Sequence, residues 1–354
     1  MSKVLDALFV QGISHHKTPL DVREKFALEQ KDVGPLLHDL HKLPGMRECI
    51  LLNTCNRMEI YGLADSPEVA KDVSKYFCET KHIDPSLFHE HAFIESNMDV
   101  LKHVIEVSSG LDSQMVGETD IFKQMKEAYE YARKEGTTGM VLNRMFERSF
   151  QAAKKARAHT GISRGQISIG NVAVNLASRI FGKLQGSRVL LIGSGEVAEQ
   201  TAQALFSRGV DDITVTSRTY ENAHQVAKEF GGAVLDFESF RKQLLHFDIV
   251  ICSTSSQDAL LVAEDIRGPL RKRRGKPMFL IDLAMPRDVA PSVEALDNVF
   301  VYNLDDISRM ANENLEQRKS EISRARKILG RQAWWLWLEL RRRSVLPQKP
   351  KTGS

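Results

Sequence analysis

Val189-Leu-Leu-Ile192-Gly193-Ser194-Gly195-Glu196-Val197-Ala198 runs four apolar residues straight into a Gly-x-Gly-x-x-Ala turn. An unbroken apolar run of this length reads as a strand covered on both faces. Gly193 permits the tight turn, Gly195 removes the Cβ that would obstruct a diphosphate, and Ala198 lets the next helix lie close to the sheet. Glu199 to Arg208 reads as that helix, with unpaired N–H groups at its start facing the phosphates. Three further apolar runs follow, Ile213 to Ser217, Ile249 to Ser253 and Phe279 to Asp282, separated by helical stretches. Alternation of this kind predicts a parallel sheet with helices on both faces, a Rossmann-type α/β domain that holds a nicotinamide dinucleotide.

The tip of the second strand indicates which dinucleotide. An NAD site usually carries Asp or Glu roughly 20 residues after the first glycine, on the ribose 2′-hydroxyl. Here the strand ends Val215-Thr-Ser217-Arg218-Thr219, without a carboxylate. A guanidinium flanked by two hydroxyls suits a 2′-phosphate, so the cofactor expected is NADPH.

The N-terminal part reads differently. Leu5 to Gln11 is an expected strand and Asp21 to Glu29 a short helix. Ile50–Asn53 and Glu59–Leu63 are expected strands flanking Thr54-Cys55-Asn56-Arg57. From Asp99 to about Thr160 the pattern turns helical, broken near Gly110 and again at Gly136 to Gly139. A thiol at the exit of an apolar strand, with Arg57 near enough in sequence to favour its thiolate, has the surroundings of a nucleophile. Beside a hydride donor it points to thioester or thiohemiacetal chemistry on an acyl group. The same residue type also serves as a small buried hydrophobe, a reading that fits Cys49, Cys78 and Cys252 better. Ser108-Ser-Gly-Leu-Asp-Ser-Gln-Met-Val-Gly-Glu118 carries too many polar groups for a plain helix and reads as a pocket lining. It follows an amphipathic helix bearing His103, which reads either as a pocket residue or as a solvated one.

Composition sets the outer limits. The chain has 354 residues, 42% hydrophobic and 27% charged, enough for two or three folded cores. A net charge of +3 is too mild to identify a nucleic-acid binder. Four cysteines without paired spacing make no disulfide framework and fit a reducing, cytoplasmic setting. No apolar stretch reaches membrane-spanning length, and Asp6 interrupts the run that a signal peptide would need. His15 and His16 are adjacent but unsupported by cysteines, so no catalytic metal is expected.

An ordered set of motifs over roughly residues 5 to 320 resembles the glutamyl-tRNA reductase family. The set comprises Gly12-Ile-Ser-His-His-Lys-Thr-Pro19, Thr54-Cys55-Asn56-Arg57-x-Glu59, Ser109-Gly-Leu-Asp-Ser113 with Val116-Gly-Glu118, and Gly161-Ile-Ser-Arg-Gly165 with Ser168. Gly193-Ser-Gly-Glu196, Ser217-Arg-Thr219, Asp282-Leu-Ala-Met-Pro-Arg287 and Tyr302-Asn-Leu-Asp-Asp306 complete it. The resemblance implies a multidomain α/β protein: an α+β catalytic domain over residues 1–155, a Rossmann-type NADPH domain over 156–306, and a helical dimerisation region over 307–354, joined by a long spinal helix. It implies reduction of glutamyl-tRNA(Glu) to glutamate-1-semialdehyde, the entry to tetrapyrrole and haem synthesis, through a thioester on Cys55 with release of the tRNA. His103 would exchange protons as a neutral imidazole, and Thr54, Arg57, Ser113, Glu118 and Gln124 would grip the substrate glutamate. Gly193, Ser194, Gly195, Glu196, Val197, Ala198, Ser217, Arg218 and Thr219 would hold NADPH. The implied partners are glutamyl-tRNA, a second copy in a homodimer, and transiently the downstream semialdehyde aminomutase.

The segment after Asp306 is short for a three-helix dimerisation domain. One helix from about Ile307 to Arg343 is expected to pair with its twin through Leu315, Ile322, Ile328, Leu329, Trp334, Trp335, Leu336 and Leu338. The basic stretches Arg271 to Arg274 and Arg341 to Arg343 read either as solvated patches or as contacts to tRNA phosphates. Two other functions stay open: a small-carbonyl oxidoreductase resembling shikimate dehydrogenase, which leaves Thr54 to Glu59 unused, and a catalytically silent tRNA-binding regulator.

Overall fold

Leu8–Ser14 (β1) and Arg57–Ala64 are buried along their whole length, so both must lie inside a sheet and not at its edge. The structure, a computed structural model, describes residues 3–162, 169–273, 275–312 and 315–343. These fall into two units, one drawn from Met1–Gln166 with Asn314–Ser354, the other from Ile167–Glu313.

In the first unit β1 is followed by α1 (Leu20–Phe26), α2 (Gln30–His41), β2 (Met46–Asn53) and β3 (Arg57–Ala64). Then come α3 (Val69–Lys81), α4 (Pro85–His91), β4 (Phe93–Ser96), α5 (Met98–Ser109), α6 (Asp120–Lys134) and α7 (Met140–His159). The four strands form an antiparallel sheet in the order β2-β3-β1-β4. Gly12 lies so close to β3 that a Cβ there would meet the Met58 carbonyl oxygen at 2.0 Å. The helical breaks fall where the glycines predict, with Gly110 closing α5 in the left-handed region at φ 78°. The first strand starts later than expected, because Lys3–Ala7 forms a 3₁₀ turn.

The second unit contains α8 (Ile169–Phe181), β5 (Arg188–Ile192), α9 (Glu196–Phe206), β6 (Asp212–Thr216), α10 (Tyr220–Glu229), β7 (Ala233–Val234) and α11 (Phe240–Gln243). It continues through β8 (Ile249–Cys252), α12 (Ala263–Lys272), β9 (Met278–Asp282), β10 (Val299–Tyr302) and α13 (Leu304–Ala311). All its strands pair in parallel, in the order β10-β9-β8-β5-β6-β7. Counted from β5 this is the doubly wound order 3-2-1-4-5-6, whose crevice opens where the winding reverses, between β5 and β8. The expected parallel sheet is present, widened by β7 and β10.

The helix expected from Ile307 to Arg343 is two helices. Asn303 starts α13 with a capping box, accepting from the N–H groups of Asp305 and Asp306 while Asp306 accepts from that of Asn303. That helix closes at Asn312, and α14 (Leu315–Arg343) belongs to the first unit. Ala325, Leu329, Ala333, Leu336 and Leu340, at helical spacing, are buried in the core that α5 and α7 share. Glu339 anchors the seam, accepting from Arg144 Nε at 2.7 Å and Arg148 Nε at 3.2 Å. Leu329 and Leu336, expected to face a twin, are therefore occupied within their own chain, whereas Trp334 and Trp335 are 52% and 65% exposed. Arg273 is likewise no solvated patch: its guanidinium binds the Phe247 and Pro277 carbonyls and the Asp248 carboxylate. The expected linker at Gly161 to Gly165 lies largely outside the described residues. No helix among those described is long and apolar enough to cross a membrane.

Leu336→Ala is expected to lower the unfolding free energy of the first unit by about 2–4 kcal/mol, the usual result of emptying a buried leucine site. A urea titration that leaves the midpoint unmoved contradicts the packing of α14.

Candidate active site

Cys55 occupies the turn between β2 and β3. The turn is closed by the Thr54 N–H bonding the Arg57 carbonyl at 2.9 Å, and the Thr54 hydroxyl accepts from the N–H groups of Asn56 and Arg57 at 3.2 and 3.1 Å. Thr54 thus shapes the turn that presents the thiol. The loop after β1 lies against it, with the His15 N–H bonding the Asn56 carbonyl at 3.0 Å.

Arg57, Glu59 and Tyr61 alternate along β3 and so share one of its faces. Glu59 Oε1 accepts from Arg57 Nη1 at 2.7 Å and lies 3.1 Å from His103 Nε2, while Oε2 accepts from the Tyr61 hydroxyl at 2.6 Å. The Arg57 guanidinium continues to Asp112, meeting its carboxylate at 2.9 Å and its backbone carbonyl. Asp112 in turn holds His16 Nε2 at 2.9 Å. The side chains of Arg57 and Glu59 are 1% and 0% exposed.

These pairings set the charge states. Burial opposes ionisation of Glu59, but His103 and Arg57 prevail and hold it at about 2. Burial lowers the basicity of His103, yet the Glu59 carboxylate outweighs it, and the net shift is upward. The Glu59 carboxylate thus draws His103 towards its protonated form, against the neutral imidazole expected. His15, buried beside His16 and Arg57, is pushed down to about 3 and is neutral.

The expectation that Arg57 favours the thiolate is not met. Burial, reinforced by the Glu118 carboxylate, pushes the Cys55 thiol up to about 12; the cation that opposes this is Arg23, on α1. Arg57 points into the ion-pair network instead. Burial also raises Glu118 to about 7, with the Ser113 hydroxyl beside it opposing the shift. The loop from Gly110 to Thr119 thus brings Ser113 and Glu118 to the cysteine. Gln124 lies half-buried in the second turn of α6, away from any contact with these groups among the described hydrogen bonds. His15 Nδ1, Asn56 Oδ1 and Arg57 Nε are buried and have no hydrogen-bond partner among the described residues. Buried polar atoms without partners are costly, and three around one turn suit a polar substrate.

In the second unit Gly193, Ser194, Gly195, Glu196, Val197, Ser217, Arg218 and Thr219 line one cleft of about 420 Å³ at the switch between β5 and β8. Ala198 is fully buried under the first turn of α9, as its expected packing role requires. Gly193, at φ 121°, lies where a Cβ would meet the Ser253 carbonyl oxygen at 2.6 Å, so the fold itself demands glycine. Gly195 has an ordinary φ of −86° and nothing within 4 Å of its Cβ position. The chain alone does not require glycine there; an approaching diphosphate does. The cleft also contains Asn222, Phe237, Ser253, Thr254, Ser255 and Leu260, which the sequence reading passed over. Ser253-Thr254-Ser255 directly after the apolar β8 was the available signal. Asp112 and Arg23 lie among other polar and charged residues, so neither stood out in the sequence.

Residues 11–160 match the family profile described as glutamyl-tRNAGlu reductase, N-terminal domain, and residues 175–310 match that of shikimate / quinate 5-dehydrogenase. A glutamyl-tRNA reductase of Solidesulfovibrio magneticus is 40% identical over 92% of this chain and 72% of its own length. That of Aquifex aeolicus is 39% identical over 91% of this chain and 79% of its own. The solved glutamyl-tRNA reductase from Methanopyrus kandleri is 33% identical, with a TM-score of 0.53, covering 95% of this chain and 81% of that one.

The chain belongs to the glutamyl-tRNA reductase family.

It is accordingly an oxidoreductase whose second unit is of the nicotinamide-dinucleotide type.

A thiol held near 12 is expected to react slowly. At pH 7.5 Cys55 should be alkylated by iodoacetamide at least about tenfold more slowly than free cysteine, with a rate rising about tenfold per pH unit and no plateau below pH 10. Mass spectrometry of the Cys55 peptide reads this out, and a plateau near neutral pH contradicts the electrostatics given.

Proposed function

We propose that this chain reduces the glutamyl group of glutamyl-tRNA(Glu) to glutamate-1-semialdehyde with NADPH, releasing the tRNA at the entry to tetrapyrrole synthesis. The observation that carries the reading is the presented Cys55, in a turn ringed by unpartnered polar atoms, on a chain that also bears a dinucleotide cleft. A thiol is needed because the aminoacyl ester is activated, whereas a free carboxylate resists both nucleophile and hydride.

Cys55 Sγ attacks the ester carbonyl and gives up its proton; the C–S bond forms, the C–O bond to the tRNA ribose breaks, and the departing ribose oxygen takes a proton in return. The imidazole of His103, paired with Glu59, is the group that passes this proton from sulfur to oxygen. The substrate α-ammonium pairs with Glu118, and the side-chain carboxylate takes the free Nε of Arg57, with Thr54, Ser113 and Gln124 completing the pocket. Pairing Glu118 with an ammonium offsets the charge that, after burial, most favours the thiol, so substrate binding itself moves Cys55 towards the thiolate. NADPH, when bound along Gly193 to Ala198, supplies the hydride that takes the thioester to the aldehyde level. Sulfur then leaves the aldehyde carbon as thiolate and takes a proton from solvent to return to the thiol.

Arg218 at the β6 tip, with Ser217 and Thr219, favours NADPH over NADH because it offers a guanidinium and no carboxylate. The reading extends to a homodimer using the exposed Trp334–Trp335 face of α14, to transfer of the product to the semialdehyde aminomutase, and to a cytoplasmic setting that suits four free thiols. The shikimate-dehydrogenase-like alternative accounts for residues 175–310 and leaves the first unit without employment.

Mixed with glutamyl-tRNA and NADPH, the protein is expected to form semialdehyde, and with free glutamate to form none. Cys55→Ser should lose activity by at least about a thousandfold, in the range seen when a covalent nucleophile is removed. Full activity in Cys55→Ser excludes the thioester route, and an inactive native protein excludes the assignment. Arg218→Ala should raise the KM for NADPH about tenfold or more, the loss of a charged hydrogen bond, with a smaller change for NADH. Equal changes for both cofactors would show that Arg218 does not read the 2′-phosphate.

A further inference from the structure

Glu59 never meets solvent, yet a guanidinium, an imidazole and a phenol hydroxyl converge on it. Its side chain is 0% exposed, against 15% for His103, so the carboxylate is behind the histidine and out of reach of a substrate. Oε1 serves two partners, Arg57 Nη1 and His103 Nε2, and Oε2 is fixed by Tyr61. With Nε2 committed to Glu59, Nδ1 is the ring nitrogen without a partner among the described residues.

We propose that Glu59 is the positioning residue of the reaction: one buried carboxylate, clamped by Tyr61, holds the proton-exchanging imidazole of His103 and the guanidinium of Arg57 in fixed orientations. This rests on the reading of the first unit as the site of thioester chemistry.

The geometry explains why one residue does both jobs. Arg57 and Glu59 share a face of β3, and His103 comes from α5, which packs on that side, so a single carboxylate bridges strand to helix. His103 is faced by Glu59, Arg57 and Tyr61 from β3, by Asp112 from the loop after α5, and by Glu106 on its own helix. Asp112 holds Arg57 from the other side but bonds His16, not His103. Removing Glu59 therefore releases the imidazole completely and the guanidinium only partly. A purely structural carboxylate would affect stability without altering the titration of His103 or separating kcat from KM.

The test compares the full-length native protein, Glu59→Gln, Glu59→Asp and Tyr61→Phe, by steady-state kinetics with glutamyl-tRNA and NADPH and by NMR titration of ¹³C-labelled histidine. The His103 signal is assigned from its absence in His103→Asn. In Glu59→Gln, kcat should fall about tenfold or more, part of the 10²–10⁴ that general acid catalysis contributes, while KM for glutamyl-tRNA changes about threefold at most. The His103 titration should move down by about one unit or more, since its main anionic partner is gone. Glu59→Asp should recover part of both. Tyr61→Phe keeps every charge and guards against a Glu59→Gln that fails to fold; it should lower kcat about two- to fivefold. The proposal is overturned if the His103 titration and kcat are unchanged in folded Glu59→Gln, or, should that variant not fold, in Tyr61→Phe. An inactive native protein instead overturns the proposed function, and the histidine titration distinguishes the two failures.

Discussion

Everything in the catalytic half hangs on a buried carboxylate being ionised. Placing Glu59 out of water costs several kcal/mol, and only close pairing with Arg57 and His103 and the hydroxyl of Tyr61 offsets it. Because those partners come from β3 and α5, the need to satisfy one charge fixes the spacing between the strand and the helix behind it. Asp112 extends the constraint to the loop after α5, since it binds the far side of the same guanidinium. The loop carrying Ser113 and Glu118 thereby inherits its position from the ion pair, and the Cys55 turn, two residues before Glu59's nearest partner, inherits it too.

The balance of charge in that network has a consequence for the nucleophile. Arg57 and His103 are matched by Glu59 and Asp112, so the cation left to favour a thiolate is Arg23 on α1. Burial and the carboxylate of Glu118 outweigh it, and both favour the thiol. The resting pocket thus keeps Cys55 as a thiol, and under the proposed function its reactivity depends on what binds. For a chain that must not spend its cysteine on stray electrophiles, low intrinsic reactivity combined with activation by a cationic substrate is a coherent arrangement. It differs from redox cysteines, which are kept ionised by neighbouring cations.

Much of this fold was legible because it follows from periodicity. The runs at 189–192, 249–252 and 278–282 are apolar without alternation, as strands covered on both faces must be, and the turn glycines announce the cleft. The short strands Ala233–Val234 and Val299–Tyr302 escaped, since two or four residues at a sheet edge leave no pattern. The fate of α14 escaped for a different reason. A seam of Ala325, Leu329, Ala333, Leu336 and Leu340 looks the same whether it meets a twin or its own chain; periodicity says that a face is buried and not against what. Arg57 misled in a third way. Its nearness to Cys55 is a fact of the chain, but Cys55 lies in the turn while Arg57 opens β3, and only pairing with Glu59 and Asp112 decides where the guanidinium goes. Charge networks form between elements distant in sequence, so Asp112 and His16 carried no local signal.

The two glycines of the cleft show how function can be separated from folding. At Gly193 the backbone angle and the Ser253 carbonyl oxygen both exclude a side chain, so that glycine is explained by the chain itself. At Gly195 neither applies, and a larger residue would be accommodated and would gain stability by restricting the unfolded chain. A residue that the fold does not require, and that costs stability, calls for a reason outside the fold. The same reasoning applies to His15 Nδ1, Asn56 Oδ1 and Arg57 Nε, which are buried polar atoms that the chain leaves unpaired around Cys55. In both units some of the places where local rules are broken without internal compensation lie beside the groups assigned to chemistry. Each unit therefore points to its ligand independently: one to a diphosphate, the other to a compact molecule rich in hydrogen-bonding groups.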